Sequence, residues 1–378
     1  MELGIYPTLP KKLHLEPTTR CNARCPQCSR TYLGSLITDP RLEMVDWNPI
    51  DLEKTLADPF FKELEGVIVN GNFGDIVMHP NPKELITVLL NRGLKEIVIH
   101  TNGGGLNTEF WSWLGSKPNV MVQFGIDGLK DTHHLYRRNT VFEVVMKNAK
   151  AFIDAGGIAL WAMTVFKHNE HQVEECRKLA TEYNFKYFRE RPSTRWDIAK
   201  DYIVLDNDMK ESYRLEPASY IANRFKNFPK DVQLKSKIKI PEVSEFDLNK
   251  LKPAQPSLNI CAIECLVAEE SFVFLSAKGN LYPCCWVGSD HENSLMKNTD
   301  SSFVQTFYKD LGYDLDFNNV LKNKISDIIK SGLFTKIEDS WMTRNQFDIC
   351  QRTCRTRSNM KHQYKNSKIY IMKEEKSE

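Results

Sequence analysis

Three cysteines near the amino end of the chain combine a residue type and a spacing that suit metal chemistry. Cys21, Cys25 and Cys28 follow a predicted strand, with three and then two residues between them. Three thiolates need a fourth ligand to complete a tetrahedral zinc site, and His14 or His100 is a candidate. The same thiolates can hold three irons of a [4Fe–4S] cluster and leave the fourth iron open to an external chelator. The spacing favours the iron–sulfur cluster, with zinc as the alternative.

A second group of cysteines lies in the last third of the chain. Its members are Cys261, Cys265, Cys284, Cys285, Cys350 and Cys354. Clustered thiols in a chain that is large enough to fold without disulfides indicate metal binding or chemistry, and a structural zinc site is again the alternative. Cys176 stands alone in a helical pattern and is interpreted as a structural thiol.

The elements that must position the first cysteines alternate between short β-rich runs and helical stretches. The predicted strands are residues 13–17, 66–70, 96–101, 120–127, 159–166 and 186–190. The predicted helices between them are residues 51–65, 82–91, 108–115, 142–156 and 170–184. This alternation indicates βαβ units and a parallel sheet. Six units predict an α/β fold that is either an open doubly wound sheet or a partial barrel.

Polar residues and glycines follow the first four predicted strands. The segments are 18–21, 71–75, 102–105 and 127–128. Because the carboxyl ends of parallel strands share one edge, these segments are expected to meet in one site. Taken singly, each has a structural explanation, since Asp75 is a helix-capping residue type and Asp127-Gly128 is a common turn.

The cysteine loop in this βα context resembles that of the radical S-adenosylmethionine (SAM) superfamily, over roughly the first 195 residues. The resemblance implies a partial (β/α)6 TIM-like barrel whose open iron is chelated by SAM. It also implies reductive cleavage of SAM and hydrogen abstraction from an organic substrate by the 5′-deoxyadenosyl radical.

Further residues match segments of that family. Gly74 and Asp75 fall where the family carries Gly-Glu and would help to hold the methionine amino group. Asn102 lies in a Thr-Asn-Gly segment near the ribose, and Asp127 in an Ile-Asp-Gly segment. Gln27 stands where an aromatic residue commonly contacts adenine.

The C-terminal cysteines resemble the auxiliary-cluster extension called SPASM, in its shortened twitch form. The resemblance implies one auxiliary [4Fe–4S] cluster on Cys265, Cys284, Cys350 and Cys354. A predicted hairpin around Lys278-Gly279-Asn280 brings two thiols together, and the terminal C-x3-C pair supplies two more. Cys261 and Cys285 leave open a second auxiliary cluster or a different choice of four.

The predicted organisation has four parts. Residues 1–195 form the barrel, 196–257 a partly helical connector, 258–364 the twitch or SPASM-like α+β domain, and 365–378 a charged tail.

Two charged segments lie close to the expected site. Residues 132–139, which contain two histidines and two arginines, are interpreted as a solvated helix start rather than a substrate site. Arg189, Glu190 and Arg191 end the sixth strand and are candidates for contact with the SAM carboxylate or the substrate.

Composition limits the function classes. The 378 residues include 51 Lys plus Arg and 49 Asp plus Glu, a net charge of +2, which argues against a protein that coats nucleic acid or an anionic membrane. No apolar run approaches the ~18 residues that a membrane span needs, and the first twelve residues lack the apolar core of a secretory signal. A cytoplasmic location is therefore predicted.

The sequence thus predicts a radical SAM enzyme that oxidises a small molecule or modifies a peptide or protein. About twenty residues precede Cys21, too few for a leader-binding domain, which favours a small molecule or a separately delivered peptide. The family resemblance implies a reducing electron donor such as flavodoxin or ferredoxin. The alternative is a non-enzymatic iron–sulfur or zinc protein with a regulatory or structural role.

Overall fold

The strands of the first half of the chain form a parallel sheet. The computed structural model describes residues 9–193, 195–196, 201–220, 263, 265–299, 302–341, 347–354 and 368–372. Its first six strands are β1 (Lys12–Leu15), β2 (Gly66–Val69), β3 (Glu96–Thr101), β4 (Val120–Gly125), β5 (Ile158–Val165) and β6 (Tyr187–Pro192). They pair in chain order and in parallel. The prediction of a parallel α/β sheet with six βα units is confirmed.

The helices of this part cover one face of the sheet. They are α1 (Pro49–Leu56), α2 (Pro82–Asn91), α3 (Thr108–Gly115), α4 (His133–Tyr136), α5 (Phe142–Asp154) and α6 (Val173–Glu182). The first predicted helix is wrong in its length: α1 ends at Leu56, and a separate 3-10 turn covers Pro59–Phe61. Pro59 cannot continue a helix because it lacks an N–H, and Asp58 instead caps the new turn by accepting from the Phe60 N–H.

Side chains along each strand point alternately to two faces of the sheet, one packed against the helices and one that we call the inner face. Leu13, Val67, Ile97, Val122 and Trp161 belong to the hydrophobic core under the helices. The intervening residues point to the opposite, inner face because side chains alternate along a strand. On β1 to β6 these inner residues include His14, Ile68, Val98, His100, Met121, Gln123, Leu160, Tyr187, Arg189 and Arg191.

The predicted C-terminal hairpin is confirmed and extends the same sheet. Strand β9 (Phe272–Leu275) pairs antiparallel with β10 (Leu281–Tyr282), and β9 also pairs in parallel with β1. The helices of this part are α7 (Leu266–Glu269), α8 (Cys285–Lys297), α9 (Phe303–Asp310), α10 (Ile325–Lys330), α11 (Leu333–Ser340) and α12 (Asp348–Cys354). The two cysteine groups are therefore carried by one continuous sheet and its flanking helices.

Two short elements differ from the sequence-based expectations. Within the predicted connector, residues 202–215 contain a two-stranded hairpin of β7 (Tyr202–Leu205) and β8 (Glu211–Leu215), which was not predicted, and residues 219–220 are helical. Within the segment predicted as a charged tail, β11 (Lys368–Ile371) pairs antiparallel with β6 and forms the other end of the sheet. The predicted domain boundaries stay predictions.

Among the residues that the structure describes, no helix has both the length and the apolar character needed to cross a membrane.

Candidate functional site

The three N-terminal cysteines lie together in the loop that follows β1. The Cys28 N–H donates to the Cys25 carbonyl at 3.1 Å, which closes a tight turn between these two ligand candidates. Burial and the nearby charges of Asp75 and the other two thiols raise the pKa of Cys21. Burial likewise raises the pKa of Cys25 to about 11, although the positive charge of Arg137 opposes this shift. The loop therefore gathers three thiols that a cationic metal centre would deprotonate.

Three arginines hold the backbone of this cysteine loop. Arg24 and Arg30 each donate to the Cys21 carbonyl, at 2.9 and 2.7 Å. Arg138 donates to four backbone carbonyls, those of Arg24 (2.8 Å), Gly34 (3.0 Å), Ser35 (2.5 Å) and Leu205 (3.0 Å). Since Leu205 belongs to β7, Arg138 fastens the β7–β8 hairpin to the cysteine loop.

The loop after β2 packs directly against the cysteine loop. A Cβ at Gly74 would lie 1.8 Å from the Thr18 carbonyl oxygen, so only glycine allows this approach. The next N–H, that of Asp75, donates to the Arg20 carbonyl at 2.8 Å. The structure thus brings Gly74 and Asp75 beside the predicted cluster loop.

The Asp75 carboxylate links the loops after β2 and β3. Oδ1 accepts from the Thr101 hydroxyl (2.8 Å) and the Val77 N–H (3.2 Å), and Oδ2 accepts from both the backbone and side-chain N–H groups of Asn102 (2.7 and 2.9 Å). Burial raises the pKa of Asp75, and these hydrogen bonds oppose the shift. The Asn102 amide also lies 3.6 Å from the Cys21 sulfur. Four donors of the protein itself therefore occupy the acceptor positions of the Asp75 carboxylate. Contact between Asp75 and the methionine amino group of SAM stays a prediction.

Gln27 joins the cysteine loop to the end of β6. Its Oε1 accepts from the Ser193 hydroxyl at 2.8 Å, and its Nε2 donates to the Arg195 carbonyl at 2.8 Å. The Arg195 guanidinium donates in return to the Gln27 carbonyl at 2.9 Å. Gln27 lies at the predicted site, and a contact with adenine stays a prediction.

The segment 132–139 is not the solvated helix start that we expected. Arg137 Nε donates to Asp127 Oδ2 at 2.6 Å, and Asp127 is fully buried. Burial opposes the charge of Arg137, but the charges of Asp127, Cys25 and Tyr136 and the hydrogen bond to Asp127 together outweigh it and raise the pKa of Arg137. His133 is also buried, and its Nδ1 accepts from the Asp127 N–H at 3.3 Å. The segment folds back because a carboxylate buried at the end of β4 requires a counter-charge.

The second cysteine group contains four thiols that influence one another and a fifth, Cys285, whose charge also raises the pKa of Cys284. A hydrogen bond from Cys354 lowers the pKa of Cys265, while burial and the charges of other thiols raise the pKa of Cys284 and Cys350. These mutual effects place the four thiols of Cys265, Cys284, Cys350 and Cys354 close together. Burial, with the charge of Glu16 rather than the four thiols, raises the pKa of Cys285 to about 12. Cys261 lies outside the described residues.

A buried carboxyl pair lies between the two cysteine groups. Glu16 accepts from the Phe73 N–H at 2.7 Å and from the Ala277 N–H at 3.5 Å, so it joins the loop after β2 to the β9–β10 hairpin. Burial and the neighbouring carboxyl group of Glu292 raise the pKa of Glu16 to about 8. Glu292, on α8, accepts from the Asn280 amide at 3.3 Å. This pair was not predicted from the sequence, because its members are 276 positions apart and neither belongs to a motif.

The sixth strand sends its charged residues to both faces of the sheet. Arg189 Nη2 donates to Gln123 Oε1 at 2.5 Å, whereas Glu190 pairs with Lys368 of β11 at 3.3 Å. Since neighbouring residues of a strand alternate, Glu190 does not share the inner face with Arg189.

His14 of β1 donates to the Asn70 carbonyl at 2.7 Å, and burial lowers its pKa to about 4.

The residues present fit iron–sulfur ligation by donor type. Each group supplies soft sulfur donors, three in the loop after β1 and five among the described residues of the C-terminal part. Within the described ranges, no three histidine, cysteine or carboxylate side chains are arranged around a single metal ion, and the cysteines there form no disulfide.

Two family models match the chain in the predicted order. The radical SAM superfamily model matches residues 15–180, and the model described as SPASM, an iron–sulfur cluster-binding domain, matches residues 265–355. Among curated protein sequences, none matches this chain significantly.

Several solved structures share the fold at low sequence identity. SuiB of Streptococcus suis bound to the precursor peptide SuiA is 14% identical, with a TM-score of 0.55, over 89% of this chain and 68% of SuiB. SuiB bound to S-adenosylmethionine is 15% identical, with a TM-score of 0.50, over 84% and 75% of the two chains. The enzyme anSMEcpe with bound AdoMet is 16% identical, with a TM-score of 0.50, over 87% and 80%. These similarities confirm the expected fold.

Proposed function

Because residues 15–180 match the radical SAM superfamily model and residues 265–355 match the SPASM model, we propose that this protein is a radical SAM enzyme that modifies a peptide or protein. Cys21, Cys25 and Cys28 are the proposed ligands of its catalytic [4Fe–4S] cluster. When bound, the reduced cluster supplies the electron that cleaves SAM, and the 5′-deoxyadenosyl radical that forms abstracts hydrogen from the substrate. The observation that carries the proposal is the gathering of three thiols at the end of β1, inside the region that matches the family.

The surrounding residues have positioning roles in this proposal. The Asn102 amide, held by Asp75, points at the Cys21 sulfur, and such a donor stabilises a thiolate. Arg137 supplies a positive charge that favours the thiolate of Cys25. Gly74, Asp75, Asn102, Asp127 and Gln27 remain our proposed SAM-site residues.

The C-terminal thiols are proposed to hold one auxiliary [4Fe–4S] cluster. Cys265, Cys284, Cys350 and Cys354 affect each other's pKa, which supports a shared centre. Cys285 affects the pKa of Cys284 and is itself affected by Glu16, so it is the alternative ligand in this proposal. Four cysteine ligands occupy all four irons of such a cluster and leave none open for SAM. The cluster is therefore suited to accepting the second electron that is removed during oxidation of the substrate.

Two substrate classes were open from the sequence, and the peptide class is the better supported. SuiB, which shares the fold, has been solved with a precursor peptide bound. We propose that a small reducing protein such as flavodoxin or ferredoxin supplies the electron, and that the protein works in the reducing cytoplasm, where unpaired cysteines persist.

The test is SAM cleavage by anaerobically reconstituted protein. With dithionite and SAM, the wild type should produce 5′-deoxyadenosine, and Cys25→Ala should abolish it while iron stays bound at the C-terminal site. Cys176→Ala is the matched control, because this buried thiol of α6 belongs to neither group. Unchanged cleavage by Cys25→Ala would refute the assignment of the catalytic loop.

The same preparation distinguishes the enzyme from a non-enzymatic metal protein. A brown protein with broad absorption near about 400 nm supports iron–sulfur clusters. A colourless protein that binds zinc tightly and leaves SAM intact would support the regulatory or structural alternative.

A further inference from the structure

Arg30 is a buried arginine that makes little use of its hydrogen-bond donors. It lies two residues after Cys28 and is only 3% exposed. Its Nη1 donates to the Cys21 carbonyl at 2.7 Å, which is its one side-chain hydrogen bond within the described residues. Its Nε is buried and donates to no group there. Since a guanidinium has five N–H donors, most of those of Arg30 have no acceptor in this part of the chain.

Two other arginines that contact the cysteine loop differ from Arg30 in this respect. Arg24 donates to four backbone carbonyls, and so does Arg138. Hydrogen bonds to the backbone therefore explain the placement of these two side chains. The burial of Arg30 needs another explanation.

The carboxylates near this loop do not compensate the charge of Arg30. Asp39, whose N–H donates to the Arg30 carbonyl at 2.7 Å, pairs through its side chain with Arg41 at 2.7 Å. Asp75 accepts from Asn102 and from other neutral donors. In the described ranges, no carboxylate oxygen lies within 4.0 Å of a nitrogen of Arg30. A buried charge without an opposite charge is strongly unfavourable, so this guanidinium requires an anion that these carboxylates do not supply.

The cysteine loop is where such an anion would lie. Arg30 is bonded to the Cys21 backbone, and its positive charge opposes the rise that burial causes in the pKa of the Cys21 thiol. Three thiolates give a [4Fe–4S] cluster a net negative charge, and reduction of the cluster adds one more. A cluster at this place therefore has the charge that Arg30 lacks.

We propose that Arg30 is the buried counter-charge of the catalytic [4Fe–4S] cluster and raises its reduction potential. This inference rests on the proposed function and names a residue that sets how readily the cluster accepts its electron. A buried positive charge stabilises the reduced cluster more than the oxidised one, because the reduced cluster is more negative. Arg30 is a positioning residue in this account, since it acts on the cluster and its ligands and not on the substrate.

The test is a redox titration of anaerobically reconstituted full-length protein, followed by electron paramagnetic resonance. The signal that changes when SAM is added identifies the catalytic cluster, and the signal of the auxiliary cluster serves as an internal reference. Arg30→Gln should shift the midpoint of the SAM-responsive signal by about 59 mV or more to negative potentials, which is a tenfold change in a one-electron equilibrium. The midpoint of the auxiliary cluster should stay unchanged.

Two further variants separate the charge of Arg30 from the loss of any arginine. Arg92 also makes one bond to a backbone carbonyl, that of Phe61 at 3.1 Å, and its buried Nε likewise has no partner among the described residues. It follows α2, at the edge of the sheet opposite to the cysteine loop, so Arg92→Gln should leave the midpoint unchanged. Arg30→Lys keeps the charge and should hold the equilibrium within about threefold of the wild-type value.

The metal-free protein gives a second readout, with a different expected sign. Without a cluster the charge of Arg30 is uncompensated, so metal-free Arg30→Gln should melt at the wild-type temperature or above it. With the clusters in place, the same substitution should speed the loss of the SAM-responsive signal to an iron chelator by about tenfold. A residue with only a structural role would lower the melting temperature in both forms.

Three outcomes would overturn the inference. They are an unchanged midpoint in Arg30→Gln, an equal shift in Arg92→Gln, and a less stable or unfolded metal-free Arg30→Gln. A wild type that makes no 5′-deoxyadenosine and has no SAM-responsive signal would refute the proposed function and this inference with it. A wild type that cleaves SAM, while Arg30→Gln keeps the wild-type midpoint, would refute the inference alone.

Discussion

The ion pair between Arg137 and Asp127 places two opposite charges where water has little access. Arg137→Ala would leave the fully buried Asp127 without its counter-charge, and we expect a loss of about 3–5 kcal/mol in the free energy of unfolding. Urea denaturation of the metal-free protein measures this loss. Because Arg137 also favours the Cys25 thiolate, the variant should bind less iron at the N-terminal site after reconstitution.

An exposed pair in the same part of the chain provides the comparison. Lys130 pairs with Glu143 at the surface, where water screens the two charges, so Lys130→Ala should leave the free energy of unfolding almost unchanged. Equal losses in the two variants would contradict a special role for the buried pair.

The residue types of the site were readable from the sequence, but some of their contacts were not. The cysteine spacing and the polar strand ends followed from local pattern, and the structure brings Asp75, Asn102 and Cys21 together. The contact of Arg137 with Asp127 depends on α4 folding back over the end of β4. A charged, histidine-containing segment has the same local pattern whether it faces water or a buried carboxylate.

At the level of elements, Arg138 is one of the links between the β7–β8 hairpin and the cysteine loop, beside the Tyr202 hydroxyl, which donates to the Pro26 carbonyl at 3.0 Å. A lysine at this position can donate to only some of the four carbonyls that the guanidinium reaches. Arg138→Lys should therefore increase amide hydrogen exchange in residues 32–37 and 202–205 by about tenfold, as measured by mass spectrometry.

The same experiment contains its own reference. Residues 142–154 of α5 lie away from these contacts, and their exchange should match that of the wild type. Faster exchange throughout the chain would indicate general destabilisation instead of a released hairpin.

Element prediction succeeded where periodicity and turn residues agreed. Strands β2 to β6 and helices α2 and α3 lie close to their predicted bounds, because β2 to β5 are mostly apolar, the two helices carry apolar residues with helical period, and glycine or asparagine lies near most of their ends. The parallel pairing of β1 with β9 joins residues 260 positions apart, Lys12 and Phe272, and long-range pairing leaves no local signal. Strand β11 was missed because its four residues lie in a charged stretch.

At the level of the whole molecule, Glu16 joins the two cysteine-bearing parts, and its ionisation makes the stability of the folded protein depend on pH. Its pKa is about 8 in the folded protein against 4.5 ordinarily, so the folded state holds its proton more tightly. Between these values the unfolded chain loses the proton first, and folding stability falls as the pH rises. Glu16→Gln removes this titration and keeps an acceptor for the Phe73 N–H.

The expected result is a difference that grows with pH. The melting temperature of Glu16→Gln minus that of the wild type should become more positive from pH 5 to pH 8, as measured by calorimetry. Glu53→Gln, at an exposed position of α1, should show no such trend. A constant difference for Glu16→Gln would mean that Glu16 does not hold its proton in the folded state.

The placement of β1 between β2 and β9 has a consequence for biosynthesis. A ribosome must add about 260 residues after Lys12 before Phe272 exists to pair with it, which takes roughly 13–50 s at typical elongation speeds. During that interval the nascent chain presents an unpaired strand edge to other polypeptides. Slower translation should lengthen this exposure, and chaperones that shield strand edges should raise the yield of active protein.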